Sequence, residues 1–325
     1  MTRATTTTAA PHLPLPDVTR ASTVVTAPGD GPGYWAGAPS AVLADGVWWL
    51  AYRLRRPIGL GRGIGVTLAR SDDGVRFEPV GEVPASAFGA ASLERPALVR
   101  RPDGGWRLYV SCATPGSKHW RIDALDAATP AELPAARPVV VLAGDERVGV
   151  KDPVVEVDGS GWRMWVCCHP LDIPGAEDRM LTRLATSADG LRWELGDPVL
   201  APPDQGWTRR GTRVTAVFAS GAGAAPVLYF DGRASAEENW CERTGLAVPG
   251  PDGRYRTVGD APAAGSPYPR GALRYLTVVP LPAGGHRLYF EAARPDGAHD
   301  LFTQVVGPVA PRGAAPVTPG TAAAG

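Results

Sequence analysis

The sequence predicts an all-β chain folded as one five-bladed β-propeller, and three observations lead there. First, 40 glycines and 34 prolines are spread along the 325 residues rather than clustered. Proline lacks an amide hydrogen and breaks helices, so this spread describes many short elements joined by turns. Second, no long stretch places apolar residues at helical spacing. Third, the chain repeats itself. Pro39, Pro96 and Pro153 recur at a spacing of 57 residues, each near the start of an apolar run.

Each of those runs leads through a turn into an aromatic strand: DGVWWLAY at 45–52, DGGWRLYV at 103–110 and DGSGWRMWV at 158–166. Two later units continue the series with APVLYF at 225–230 and GHRLYF at 285–290, their first strands being RVTAVF (213–218) and RYLTVV (274–279). The hairpins TLARSDDGVRFE (67–78) and RLATSADGLRWE (183–194) place Ser71 and Ser187 116 residues apart, two repeats of about 58. Asp-Gly makes the tight turn there, and the following aromatic is expected to cover the edge of its own sheet. Five units of about 57 residues suit blades of four strands, starting near residues 38, 95, 152, 213 and 274. The propeller is expected over 17–306, with 22–28 supplying the last blade's missing outer strand. Residues 1–16 read as a disordered leader and 307–325 as a disordered tail.

Charge is balanced at 33 basic against 33 acidic residues. That gives no general attraction to nucleic acid or an anionic membrane. No apolar run reaches membrane-spanning length, and the N-terminus lacks the apolar stretch of a secretory signal. Cys112, Cys167, Cys168 and Cys241 follow no metal-ligand spacing and read as buried free thiols of a cytoplasmic protein. The sequence does not specify an oligomeric state.

In a propeller the innermost strands converge on one funnel, so charged residues at equivalent strand ends meet in space. Those at first-strand starts include Trp35, Glu94, Arg95, Lys151, Asp152, Arg213 and Arg274; those beyond second strands include His169, Asp231, Arg233 and Glu291. Glu94 and Asp152 form the leading catalytic pair, with Asp231 as a further carboxyl group. Two carboxyls confined together would raise a pKa, which suits a proton donor. Trp35, Arg95, Lys151, His169, Arg213, Arg233 and Glu291 are the expected substrate-binding residues. No second histidine stands near His169 at ligand spacing, so no histidine metal site is expected. In the fourth unit, LYFDGRASAEENWCERTGLAV (228–248) offers Asn239 and Trp240 as partners for a sugar.

The five units, the Asp-Pro opening of a first strand and the Ser-x-Asp-Gly hairpins resemble the five-bladed glycosidase superfamily. That superfamily includes glycoside hydrolase families 43, 32, 62 and 130, and the resemblance covers roughly residues 30–306. It implies an enzyme that cleaves or transfers a glycosyl group, acting on a small-molecule or oligosaccharide substrate. In family 43 the first blade carries an Asp base, the second an orienting Asp and the third a Glu acid. Here the corresponding positions hold Ala38, Glu94 and Asp152. The absent first-blade base keeps two alternatives open: a phosphorolytic enzyme like family 130, and a non-catalytic propeller that binds a carbohydrate or a protein. No cofactor is implied, while a central ion or a bound phosphate remains compatible with the funnel cations. The fold alone equally admits a lyase or isomerase reaction.

Overall fold

A computed structural model describes residues 13–219 and 225–307. Among these residues the chain is all-β, with twenty strands and only short 3-10 turns between them. After the edge strand β1 (Ser22–Val25) the strands fall into antiparallel runs. The first run is β2 (Trp35–Ala44), β3 (Val47–Arg55), β4 (Gly63–Ser71) and β5 (Glu78–Pro84). The second is β6 (Leu93–Arg100), β7 (Trp106–Ala113), β8 (Trp120–Ala127) and β9 (Val139–Leu142). The third is β10 (Val148–Asp158), β11 (Gly161–Pro170), β12 (Leu181–Ser187) and β13 (Glu194–Leu200). The fourth is β14 (Gly211–Phe218), β15 (Val227–Arg233), β16 (Arg243–Pro249) and β17 (Tyr255–Val258). The last is β18 (Leu273–Pro280), β19 (His286–Ala293) and β20 (His299–Val306), and β1 pairs antiparallel with β20 as its fourth strand. A single parallel bridge, Trp35 to His299, joins the last and first runs into one eight-stranded sheet. The first strands neighbour one another in order, β2 to β6 to β10 to β14 to β18, and β18 returns to β2.

The Ser-x-Asp-Gly hairpins show why the units hold together. Ser71 Oγ accepts from the Asp73 and Gly74 amides, and Asp73 Oδ1 accepts from Val75 and Arg76 N at 2.8 Å. Gly74 adopts φ 72°, which glycine tolerates without a Cβ penalty. The turn thereby frees the Gly74 carbonyl, which accepts from Tyr289 Oη of the last unit at 2.8 Å. The same geometry at Ser187 presents the Gly190 carbonyl to Tyr109 Oη of the second unit at 2.7 Å. Phe77 and Trp193 pack edge-on against Tyr289 and Tyr109, so these aromatics seal the seam to a neighbouring unit rather than the edge of their own sheet.

The equivalent tyrosine of the fourth unit, Tyr229, donates instead to the Pro14 carbonyl at 2.8 Å, while Leu13 and Leu15 pack on the apolar core beside it. Residues 13–16, expected within a disordered leader, are therefore packed, because a buried phenol requires an acceptor. The remainder of that expected leader, 1–12, and residues 308–325 of the expected tail lie outside the described residues.

Every first strand carries a register irregularity at the same height: between Gly37 and Ser40, Glu94 and Pro96, Lys151 and Val154, Val214 and Ala216, and Arg274 and Thr277. Ala38, Asp152 and Tyr275 take positive φ there, at 50°, 53° and 56°. Bulges re-aim side chains, and positive φ at non-glycine residues is a strained choice that packing must hold in place.

Candidate functional site

The bulges and strand ends deliver an unusual load of charge to one end of the sheets. The largest fully buried side chains include Arg53, Arg55, Arg233 and Arg274. Such cations survive burial only when paired and hydrogen-bonded. Arg53 Nε reaches Glu94 at 2.8 Å, and its NH2 reaches Glu291 at 3.2 Å. Arg274 bridges Glu291 at 2.8 Å and Glu242 at 2.9 Å, and Glu242 also accepts from Arg233. Arg213 ties Asp152 at 2.9 Å to Asp231 at 2.6 Å and donates to Tyr275 Oη at 3.0 Å. The Tyr275 amide donates to Asp231, so the strained bulge of β18 has a defined partner.

Above this network lies a cavity of about 450 Å³. Of the residues expected at the site, Trp35, Glu94, Lys151, His169, Arg213 and Arg233 line it. Arg95, Asp152, Asp231 and Glu291 do not; they lie buried in or beside the network that supports it. Trp35 is clamped between cations and rings, with the Arg55 guanidinium 3.9 Å from its ring centre and His299 stacked at 5.1 Å. Trp240 meets Trp35 edge-on at 5.7 Å. Lys151 Nζ sits 4.6 Å from the Trp120 ring centre and 3.5 Å from Asp152.

The electrostatics differ from the expectation of a carboxyl held protonated at Glu94. Burial pushes Glu94 up, but Arg53, Lys151 and Arg55 outweigh it and hold its pKa below the usual carboxylate range. Glu242 is buried too, and Arg233, Arg274 and Arg213 bring its pKa down in the same way. The reason is the ratio of charges: surrounding guanidinium groups, rather than a second carboxylate, dominate the field. Asp231, by contrast, behaves as expected of a confined carboxyl, burial raising it to about 6 against the pull of Arg213. His169 is shifted down to about 4 by burial and by Lys151. Its Nδ1 lies 2.9 Å from the Glu177 carbonyl, which can only accept, so the proton is on Nδ1. Nε2 is buried behind the cavity wall and has no protein partner.

Strand-end reasoning had looked at first-strand starts and second-strand exits, and it missed a third set. Arg62, Trp120, Met180 and Glu242 all stand at or just before the third strand of their units and all line the cavity. Their equivalent positions in the repeat were the available signal. Glu177 and Asp178 enter from the loop after β11. Among the described residues, no three His, Cys, Asp or Glu side chains gather as a metal set.

An all-β ring of units with a charged, tryptophan-lined cavity where the first strands meet defines a glycoside-hydrolase-like propeller fold. Structural comparison gives the same class. A thermostable family-43 glycoside hydrolase superposes with a TM-score of 0.63 at 15% identity, covering 91% of this chain and 99% of that one. An α-L-arabinofuranosidase from Lactobacillus brevis gives 0.62 at 13% identity, over 83% and 90% of the two chains. A third structure comes from work on the family 130 mannoside phosphorylases, described as containing glycoside hydrolases that target β-1,2-mannosidic linkages in Candida mannan. It gives 0.58 at 15% identity, over 91% and 99%. No family model matches the sequence, and no curated protein does. At these identities the likeness is one of fold. Among the described residues no helix is long and apolar enough to cross a membrane.

Proposed function

We propose that the protein is a five-bladed propeller enzyme that cleaves or transfers a glycosyl group in this cavity, with Glu94 as its principal carboxylate. The observation that carries the reading is Glu94 itself: an ionised carboxylate on the wall of a sugar-sized cavity, near Lys151 and in a lining that includes Trp35, Trp120 and Trp240. Trp240, 40% exposed and part of the cavity lining, presents a ring that suits the apolar face of a pyranose. An ionised Glu94 suits a base that activates water or another acceptor. The lining holds six side-chain cations, Arg62, Lys118, Lys151, Arg213, Arg233 and Arg274, against four carboxylates, Glu94, Glu177, Asp178 and Glu242. Asp152, Asp231 and Glu291 beneath the lining compensate Arg213 and Arg274, so among the described residues the lining cation left without a carboxylate within 4.0 Å is Arg62, the group to meet an anion, either phosphate as nucleophile or an acidic sugar. Such an anion would weaken the pull of Lys151 on Glu94, while the ion pair to Arg53 at 2.8 Å stays in place. Four buried free thiols suit a reducing compartment.

The test is a screen of aryl glycosides and oligosaccharides, with and without inorganic phosphate, using wild type, Glu94→Gln and Asp152→Asn. Turnover falling by about 10²-fold or more in Glu94→Gln is the expected result. A second reading, a carbohydrate-binding propeller without catalysis, is favoured by Ala38, which leaves the first-blade base position empty of a carboxyl group. Retained ligand affinity without turnover of any substrate would establish that reading instead.

A further inference from the structure

A second cavity, of about 390 Å³, shares Trp35, Asn239 and Trp240 with the charged one. Loops of the first, fourth and last units build it: Pro32 precedes β2, Pro57 and Ile58 follow β3, Trp240 precedes β16 and Pro295 follows β19. These five residues give it apolar walls, whereas the neighbouring cavity is lined by six cations and four carboxylates. Its volume lies in the range of small-molecule sites, about 300–1,000 Å³.

Two of these apolar side chains stand partly in water, Ile58 at 61% exposed and Trp240 at 40%. Trp240 also takes φ 73°, a backbone state that a bulky residue enters at a cost. Its ring lies at the boundary of the two cavities, with the Trp35 ring centre at 5.7 Å and the Arg55 guanidinium at 5.0 Å. Solvated apolar side chains gathered in a concave site mark a surface kept for a ligand. The polar groups of the cleft are already engaged. Asp296 accepts from Arg294 NH2 at 2.7 Å and from the Gly31 and Ala298 amides at 2.9 and 3.1 Å. Arg270, on the exposed rim, donates to the Glu237 carbonyl and keeps its charge in water. Arg55, on the floor, stacks on Trp35 at 3.9 Å and has Glu94 at 3.9 Å. The cleft calls for no ion, and an uncharged apolar group enters it at least cost.

We propose that this cleft binds the aglycone of the substrate, an uncharged aromatic or alicyclic group, while the glycosyl part occupies the charged cavity across Trp240. Resting on the glycosyl reading, the assignment narrows the substrate to an amphiphilic glycoside. The shared wall of Trp35, Asn239 and Trp240 is what joins the two cavities into the footprint of one ligand.

Two measurements test this. Crystals of the wild-type protein soaked in 4-iodophenol, an aglycone without its sugar, should show an anomalous iodine peak in the cleft against Pro57 and Ile58. Crystals of Ile58→Asp should lack it, and because Ile58 is exposed this variant is expected to fold. With the glycosyl group that the screen identifies, a cyclohexyl glycoside should show a KM lower than its methyl counterpart by about tenfold, the two leaving alcohols being of similar acidity. Ile58→Asp should remove that preference. An empty cleft in the wild-type soak overturns the proposal. So does a peak that persists in Ile58→Asp, or an equal KM for the two glycosides. An iodine peak lost in the variant, with no glycoside turned over, overturns the aglycone assignment through the enzyme reading and leaves the cleft a site for apolar ligands.

Discussion

Glu291→Gln is the sharpest probe of the buried network. Glu291 has no exposed surface and accepts from Arg53 NH2 at 3.2 Å, Arg274 Nε at 2.8 Å and His299 Nδ1 at 2.8 Å. Its carboxylate packs so closely on Gly37 that a Cβ there would lie 2.1 Å from Oε2, which leaves little room for rearrangement. Glutamine keeps the shape but removes the charge and turns an amide donor toward a guanidinium. Breaking a buried ion pair costs about 3–5 kcal/mol. Arg53 retains Glu94 and Arg274 retains Glu242, so the lower end applies, about 3 kcal/mol. For a chain of this size that is a fall in melting temperature of roughly 4–5 °C. The assay is thermal and urea unfolding at neutral pH, with Glu177→Gln as control. Glu177 pairs with Lys118 at 2.6 Å, but the lysine side chain is 70% exposed. Exposed pairs contribute at most about 1 kcal/mol. A Glu291→Gln protein no less stable than the control would refute the view that this network is held by charge.

Two other outcomes follow from the same structure. Deleting residues 1–16 should destabilise the protein by about 1–3 kcal/mol in urea unfolding, because Tyr229 loses its acceptor at Pro14; deleting 1–28 should cost more, since β20 then loses β1. Unfolding measured across pH should show His169 acting as a buried neutral base. Its folded pKa of about 4 lies below the ordinary 6.5, so the unfolded chain binds the extra proton and stability is lost as pH falls from about 6.5 to 4. His169→Gln should flatten that decline by about 3 kcal/mol, and an unchanged slope would contradict the assignment.

The sequence alone determined the all-β class and the repeat along the chain. The recurrent prolines, the Asp-Gly turns and the aromatic strands are local rules that act within a few residues of themselves. It also brought Trp35, Glu94, Lys151, His169, Arg213 and Arg233 to one cavity, because equivalent positions of a repeat converge. Only the tertiary structure decided which charges compensate one another. Glu94 meets Arg53 from the preceding unit, and Asp152 meets Arg213 from the next one. Glu242 was invisible as a partner of Arg233 and Arg274 until three strands were placed side by side. Tyr229 likewise finds Pro14, 215 residues away in the chain. Coulomb energy depends on distance through space and on burial, neither of which a repeat fixes. That is why strand ends could be read from the chain, whereas the ionisation of Glu94 required the fold.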